Sequence, residues 1–97
     1  MSQPAIDTAI ATLQQILDRD YVHLEWRVLA TPSANAGSND ESIVSVHART
    51  RDFRYRCHVA RPWTTVAAAP TLRLFVADVA TEAERALAEQ AAADPNS

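Results

Sequence analysis

The spacing of apolar residues changes twice along this chain. Ile6, Ile10, Leu13, Ile16 and Leu17 recur three or four positions apart, with Asp7, Gln14, Gln15 and Asp18 on other faces. That period predicts an amphipathic helix over about residues 4–18. From Tyr21 the period falls to two. Val22, Leu24, Trp26 and Val28 share one parity, and His23, Glu25 and Arg27 the other, as in a strand with one buried face. The segment "SIVSVHART" repeats the pattern, with Val44, Val46 and Ala48 inward and Ser45, His47 and Arg49 outward. "DFRYRCHVA" predicts a third strand, with Phe53, Tyr55, Cys57 and Val59 inward and Arg54, Arg56 and His58 outward. From Pro70 the helical period returns through Leu72, Phe75, Val76, Val79, Ala83, Ala86 and Leu87, predicting a long helix to about Gln90.

The connections differ in character. "TPSANAGSNDE", residues 31–41, is small and polar and holds the only glycine, which predicts a long mobile hairpin loop. A tight turn around Arg51 and Asp52, with an even number of loop residues, would set Arg49 opposite Arg54 and His47 opposite Arg56. A rival pattern exists near the C-terminal end. "TLRLFVADV" also alternates, and Thr81-Glu82-Ala83-Glu84 resembles a capping box, which would give a fourth strand near 71–79 and a shorter helix after it. The long helix is the preferred reading. The expected architecture is an α+β domain of order α-β-β-β-α, with both helices on one face of a three-stranded antiparallel sheet. One domain spans residues 1–97, with flexible tails at about 1–4 and 92–97.

Charge sharpens the picture of the uncovered sheet face. The chain is acidic, at a formal −3, yet residues 47–62 hold five of its nine arginines and two of its three histidines. The outward parity collects His23, Glu25, Arg27, Ser45, His47, Arg49, Arg54, Arg56 and His58. Asp78, Glu82, Glu84, Glu89 and Asp94 outnumber Arg73 and Arg85 in the last segment. A positive sheet and negative helices are expected. Every strong cation is an arginine, a planar fork suited to paired contacts with carboxylate or phosphate.

Catalytic equipment is sparse. One glycine allows no phosphate-cradling loop, and nucleophile-elbow, HExxH and CxxC patterns are absent. Cys57 is of inward parity, as a small core residue would be, and a lone cysteine can form no internal disulfide. The three histidines could in principle approach one another on the open face, but the arginines among them would repel a metal dication. No enzyme activity, cofactor or metal is expected. The start of the chain lacks the basic and apolar regions of a signal peptide, and no stretch is apolar enough for a membrane span, so a cytoplasmic location is expected.

The α-β-β-β-α order is shared with double-stranded-RNA-binding domains. Those place lysines at the start of their second helix, whereas "TTVAAAPTL" has no basic residue before Arg73. Sheet-face RNA binders also present aromatic platforms, and here the aromatics fall on the inward parity. The expected function is therefore a small binding module for an acidic protein partner or a second copy of itself. Binding of RNA or DNA through the same arginines is the alternative. The residues assigned to this face are Arg27, His47, Arg49, Arg54, Arg56 and His58, with Arg61 and Trp63 at its rim. Trp63 follows Pro62 and is read first as a lid over the core, and second as an exposed anchor.

Overall fold

A computed structural model describes residues 3–31 and 42–95 of the chain. The fold is α+β, in the order α1 (Gln3–Asp20), β1 (Leu24–Thr31), β2 (Ile43–Thr50), β3 (Arg56–Pro62), α2 (Trp63–Ala68) and α3 (Leu72–Ala93). The three strands form an antiparallel sheet of order β1-β2-β3. α1 lies over β1 and α3 over β3, and the two helices touch one another. The buried apolar residues form a single core between these layers. Residues 32–41, most of the expected hairpin loop, lie outside the described residues, as do the chain's two ends at 1–2 and 96–97. Helix occupies residues 3–4 and 92–93, which the sequence had assigned to tails.

The helix α1 buries Ile6, Ala9, Leu13, Ile16 and Leu17, the stripe that its periodicity predicts. Its end is shaped by two aromatics. The Trp26 indole nitrogen donates to the Tyr21 carbonyl at 2.9 Å, and the two rings meet edge to face at 6.1 Å. The Leu24 amide donates to the same carbonyl at 3.3 Å. This turn uses up residues 21–23, so β1 begins only at Leu24. Val22, expected in the buried face, is instead 57% exposed.

The helix α3 adopts the preferred long form, and no strand forms over 71–79. Thr71 caps it, its hydroxyl accepting from the Leu74 amide at 3.1 Å. Thr81 caps nothing; its hydroxyl donates back to the Ala77 carbonyl at 2.8 Å inside the helix. The alternating reading would have buried Leu74, which is exposed, while Phe75, Val76, Val79, Ala80, Ala83 and Leu87 are buried at helical spacing.

One element had no counterpart in the sequence reading. The connection after β3 forms the short helix α2, which buries Trp63 and Val66 one turn apart. The Trp63 amide donates to the Ser42 carbonyl at 2.8 Å, tying α2 to the start of β2. Trp63 is only 5% exposed and is a lid on the core, not a surface anchor. Its indole N–H has no hydrogen-bond partner among the described residues. Pro62 before a Trp-x-x-Val pair and Pro70 after an alanine run were the available signals.

No helix among the described residues is long and apolar enough to cross a membrane.

Candidate binding face

Register decides which side chains meet on the uncovered face. Glu25 pairs with Arg49 and Arg49 with Arg56; Arg27 pairs with His47 and His47 with His58. The next rows are Leu29–Ser45–Ala60 and Thr31–Ile43–Pro62. One half of the face is thus charged and the other small or apolar. The Thr50 amide donates to Tyr55 at one end of the β2–β3 ladder, and the Trp63 amide to Ser42 at the other. Alternation from those pairs makes Arg49/Arg56 and His47/His58 non-hydrogen-bonded pairs, the kind whose side chains lie closer. The two imidazoles are stacked, with centroids 5.2 Å apart and planes 20° from parallel.

This register corrects the expected pairings of Arg49 with Arg54 and His47 with Arg56. The loop spans residues 51–54 and is longer than a two-residue turn. The Thr50 hydroxyl donates to the Asp52 carboxylate at 2.7 Å and accepts from the Tyr55 amide at 3.1 Å. The Asp52 carboxylate accepts the Arg54 amide at 3.1 Å. Those bonds, the Thr50 hydroxyl first, hold the Asp52 carboxyl below its ordinary pKa. Both turn lengths are even, so the parity of β3 survives and only the pairing shifts.

Several expected face residues lie elsewhere. Arg54 is in the loop, where its guanidinium reaches Asp94 at 3.5 Å and lies 5.5 Å from the Tyr55 ring centroid. Arg61 has the inner parity, and its guanidinium pairs with Glu82 of α3 at 2.7 Å. His23 precedes β1 and pairs with Glu84 of α3. The three histidines therefore do not share a face. Among the described residues, no group of three or more His, Cys, Asp or Glu side chains is placed to hold a metal ion. Cations thus neutralise part of the acidic α3, and the expected separation of charge narrows to the sheet centre.

What remains there is a shallow groove of about 900 Å³, lined by Gln14, Glu25, Arg27, Leu29, Arg49 and Arg56 around the stacked histidines. Arg49 is tied to Glu25 at 2.8 Å. Arg27 and Arg56 have no carboxylate partner among the described residues. They stand one on each outer strand, with His47 on the central strand between them and His58 two residues along β3 from Arg56. Two guanidinium forks flanking ring N–H groups suit carboxylates or a phosphate, which accept several charge-assisted bonds at once.

The sequence reading placed Phe53 inside. It is 65% exposed, with φ 64°, and the Arg49 guanidinium sits 4.3 Å from its ring centroid. An outward aromatic therefore does stand at the charged end of the face. The Thr-x-Asp spacing of Thr50 and Asp52 was the signal for this wider turn.

Two inward groups behave as expected of packing residues. Cys57 is half-buried and directs its thiol toward the Ala83 carbonyl at 3.6 Å; burial, then the Glu82 charge, pushes its pKa up. The Tyr55 hydroxyl donates to Asp94 at 2.6 Å, and that bond, with burial, raises the phenol's pKa. A folded pKa above the unfolded one means a contribution present below about pH 10 and lost as pH rises through the folded value. Wild-type stability, followed by urea unfolding, should therefore fall more steeply above about pH 10 than that of Tyr55→Phe. Parallel profiles would show that the bond to Asp94 is not maintained in solution.

Set against known proteins, the chain matches no family, no curated protein and no solved structure. The reading of this face rests on its own geometry.

Proposed function

We propose that this chain is a small non-enzymatic binding module that holds an acidic segment of a partner protein on its open sheet face. It would act as an adaptor, inhibitor or chaperone-like accessory factor. The observation that carries this reading is the pair Arg27 and Arg56, uncompensated among the described residues, in one groove with His47 and His58. The opposite half of the face, around Leu29, Ser45 and Ala60, offers small apolar contacts beside the charge. Such a mixture suits a protein surface better than a bare polyanion.

A second copy is a poorer occupant. A two-fold dimer that laid the charged rows on one another would set like charges against each other. A head-to-tail contact would need acids from the α3 segment, where Glu82, Glu84 and Asp94 already engage Arg61, His23 and Arg54, leaving only Asp78 and Glu89 without an ion pair among the described residues. The lone, unpaired Cys57 supports a reducing cytoplasm as the site of action.

The test uses fluorescein-labelled glutamate-rich peptides, matched neutral peptides, and single- and double-stranded RNA and DNA of the same label. Anisotropy should report binding of the acidic peptides only. Arg27→Glu with Arg56→Glu should weaken it by about 100-fold, two charge-assisted contacts being lost, with an unchanged far-UV circular dichroism spectrum. Equal affinity in the double variant would refute the assignment. Nucleic-acid binding that falls steeply with salt and needs both arginines would replace a protein partner with phosphates.

A further inference from the structure

The open face leaves one feature unexplained. Phe53 takes a left-handed backbone conformation, with φ 64°, and exposes 65% of its surface. Each property is unfavourable. A side chain with a Cβ is crowded in that region, which glycine and asparagine occupy more readily. A phenyl ring in water forgoes the stabilisation that burial would bring. Both persist because the turn is over-determined. The Phe53 amide donates to the Thr50 carbonyl at 2.9 Å, the Thr50 amide to the Tyr55 carbonyl at 2.9 Å, and the Thr50 and Asp52 side chains bond the same loop.

The ring is also aimed. Arg49 covers it at 4.3 Å while its guanidinium is held by Glu25 at 2.8 Å, so the first row of the charged face fixes the phenyl. At the same end of the sheet, Arg51 donates to the Val22 carbonyl at 2.7 Å, and Val22 is itself 57% exposed. An exposed aromatic on the β2–β3 loop and an exposed valine in the α1–β1 turn thus lie at one end of the sheet, joined through Arg51. Backbone strain over-determined by its surroundings is a mark of a functional position, and aromatic–arginine pairs dominate interface hot spots.

We infer that Phe53, oriented by Arg49, is a preorganised anchor that enters an apolar pocket lying beside the acidic groups of the partner protein. The inference rests on the proposed binding face and adds the partner's second chemical feature. Because the turn's own hydrogen bonds already hold Phe53 in place, little ordering cost attaches to binding there. A protein is favoured over a nucleic acid because the neighbouring exposed group is aliphatic Val22, and one ring face is already taken by Arg49.

The test has two arms. In the first, Phe53→Gly and Phe53→Asn are heated beside the wild type. Both should melt at or above the wild-type midpoint, since the replacements suit the backbone. A midpoint lower by about 4 °C or more in both would show that the ring serves the fold and would overturn the inference. In the second, two glutamate-rich peptides are compared, one interspersed with serine and one with leucine. The leucine peptide should bind the wild type about 10-fold more tightly, and both Phe53 variants should erase that advantage while keeping the serine peptide's affinity. Equal binding of both peptides, unaffected by Phe53, would overturn the anchor and leave the arginine face standing. Failure of both to bind would overturn the face and the anchor together. Phe53-dependent binding of single-stranded RNA, tighter than either peptide, would turn the anchor into a base-stacking platform and exclude the protein pocket.

Discussion

Replacing Ala80 and Ala83 together with leucine is expected to abolish cooperative unfolding. Both alanines are 0% exposed on the buried face of α3, which packs against the sheet and α1. The approach is close enough for the Cys57 thiol on β3 to lie 3.6 Å from the Ala83 carbonyl. Overpacking a filled core costs about 1–3 kcal/mol for each such change, sometimes more. A domain of this size has a total stability of about 5–15 kcal/mol. Two adjacent insertions on one helix face therefore remove much of what holds α3 down. The loss spreads, because Glu82, Glu84 and Gln90 of α3 hold Arg61, His23 and the Arg56 carbonyl. Ala88→Leu, on the exposed side, should leave the transition intact. Scanning calorimetry decides the matter: a wild-type endotherm in the double variant would mean that α3 does not pack this tightly.

The elements that period alone determines were legible. α1, the inner parities of β1 and β2 from Leu24 and Val44 onward, and the helical state of 72–90 all follow from apolar spacing. Arg27, His47, Arg49, Arg56 and His58 were likewise placed on one face by parity. What escaped was settled by side chains acting on backbone. Loop 51–54 is set by Thr50 and Asp52 bonding backbone and each other, and a two-residue turn would have given β3 the same parity. Period cannot distinguish the two, so Arg54 and Phe53 were misplaced together. Val22 was lost for a related reason: the Tyr21 carbonyl, held by Trp26 and Leu24, closes a turn where alternation had implied a strand. His23 and Arg61 failed differently. Their partners, Glu84 and Glu82, are distant in sequence and come near only once α3 docks. Tertiary pairing of this kind leaves no local trace.

Gln14→Leu is expected to destabilise the protein by about 2–4 kcal/mol and to make it associate, the cost being that of a stranded donor and acceptor. Both outer strands have a free edge, and each helix sends a glutamine to the edge beneath it. Gln14 of α1 donates to the Trp26 carbonyl at 2.8 Å and accepts from the Val28 amide at 2.9 Å, as the backbone of an added strand would. Its remaining N–H goes to Asp18 at 3.0 Å. Gln90 of α3 donates to the Arg56 carbonyl at 2.9 Å. Leucine fills nearly the same volume as glutamine but satisfies neither backbone group, and an open strand edge is a template for another chain. Gln90→Leu, which loses a single bond, should cost only about 1 kcal/mol. Urea unfolding reads the first effect, and sedimentation velocity over a concentration series reads the second. The outcome bears on recognition as well. With β1 occupied by Gln14, strand addition there competes with an internal bond, which favours the open face as the route to a partner. A monomeric Gln14→Leu variant with wild-type stability would mean that the glutamine does not guard the edge. Recognition by strand addition at β1 would then become the better reading.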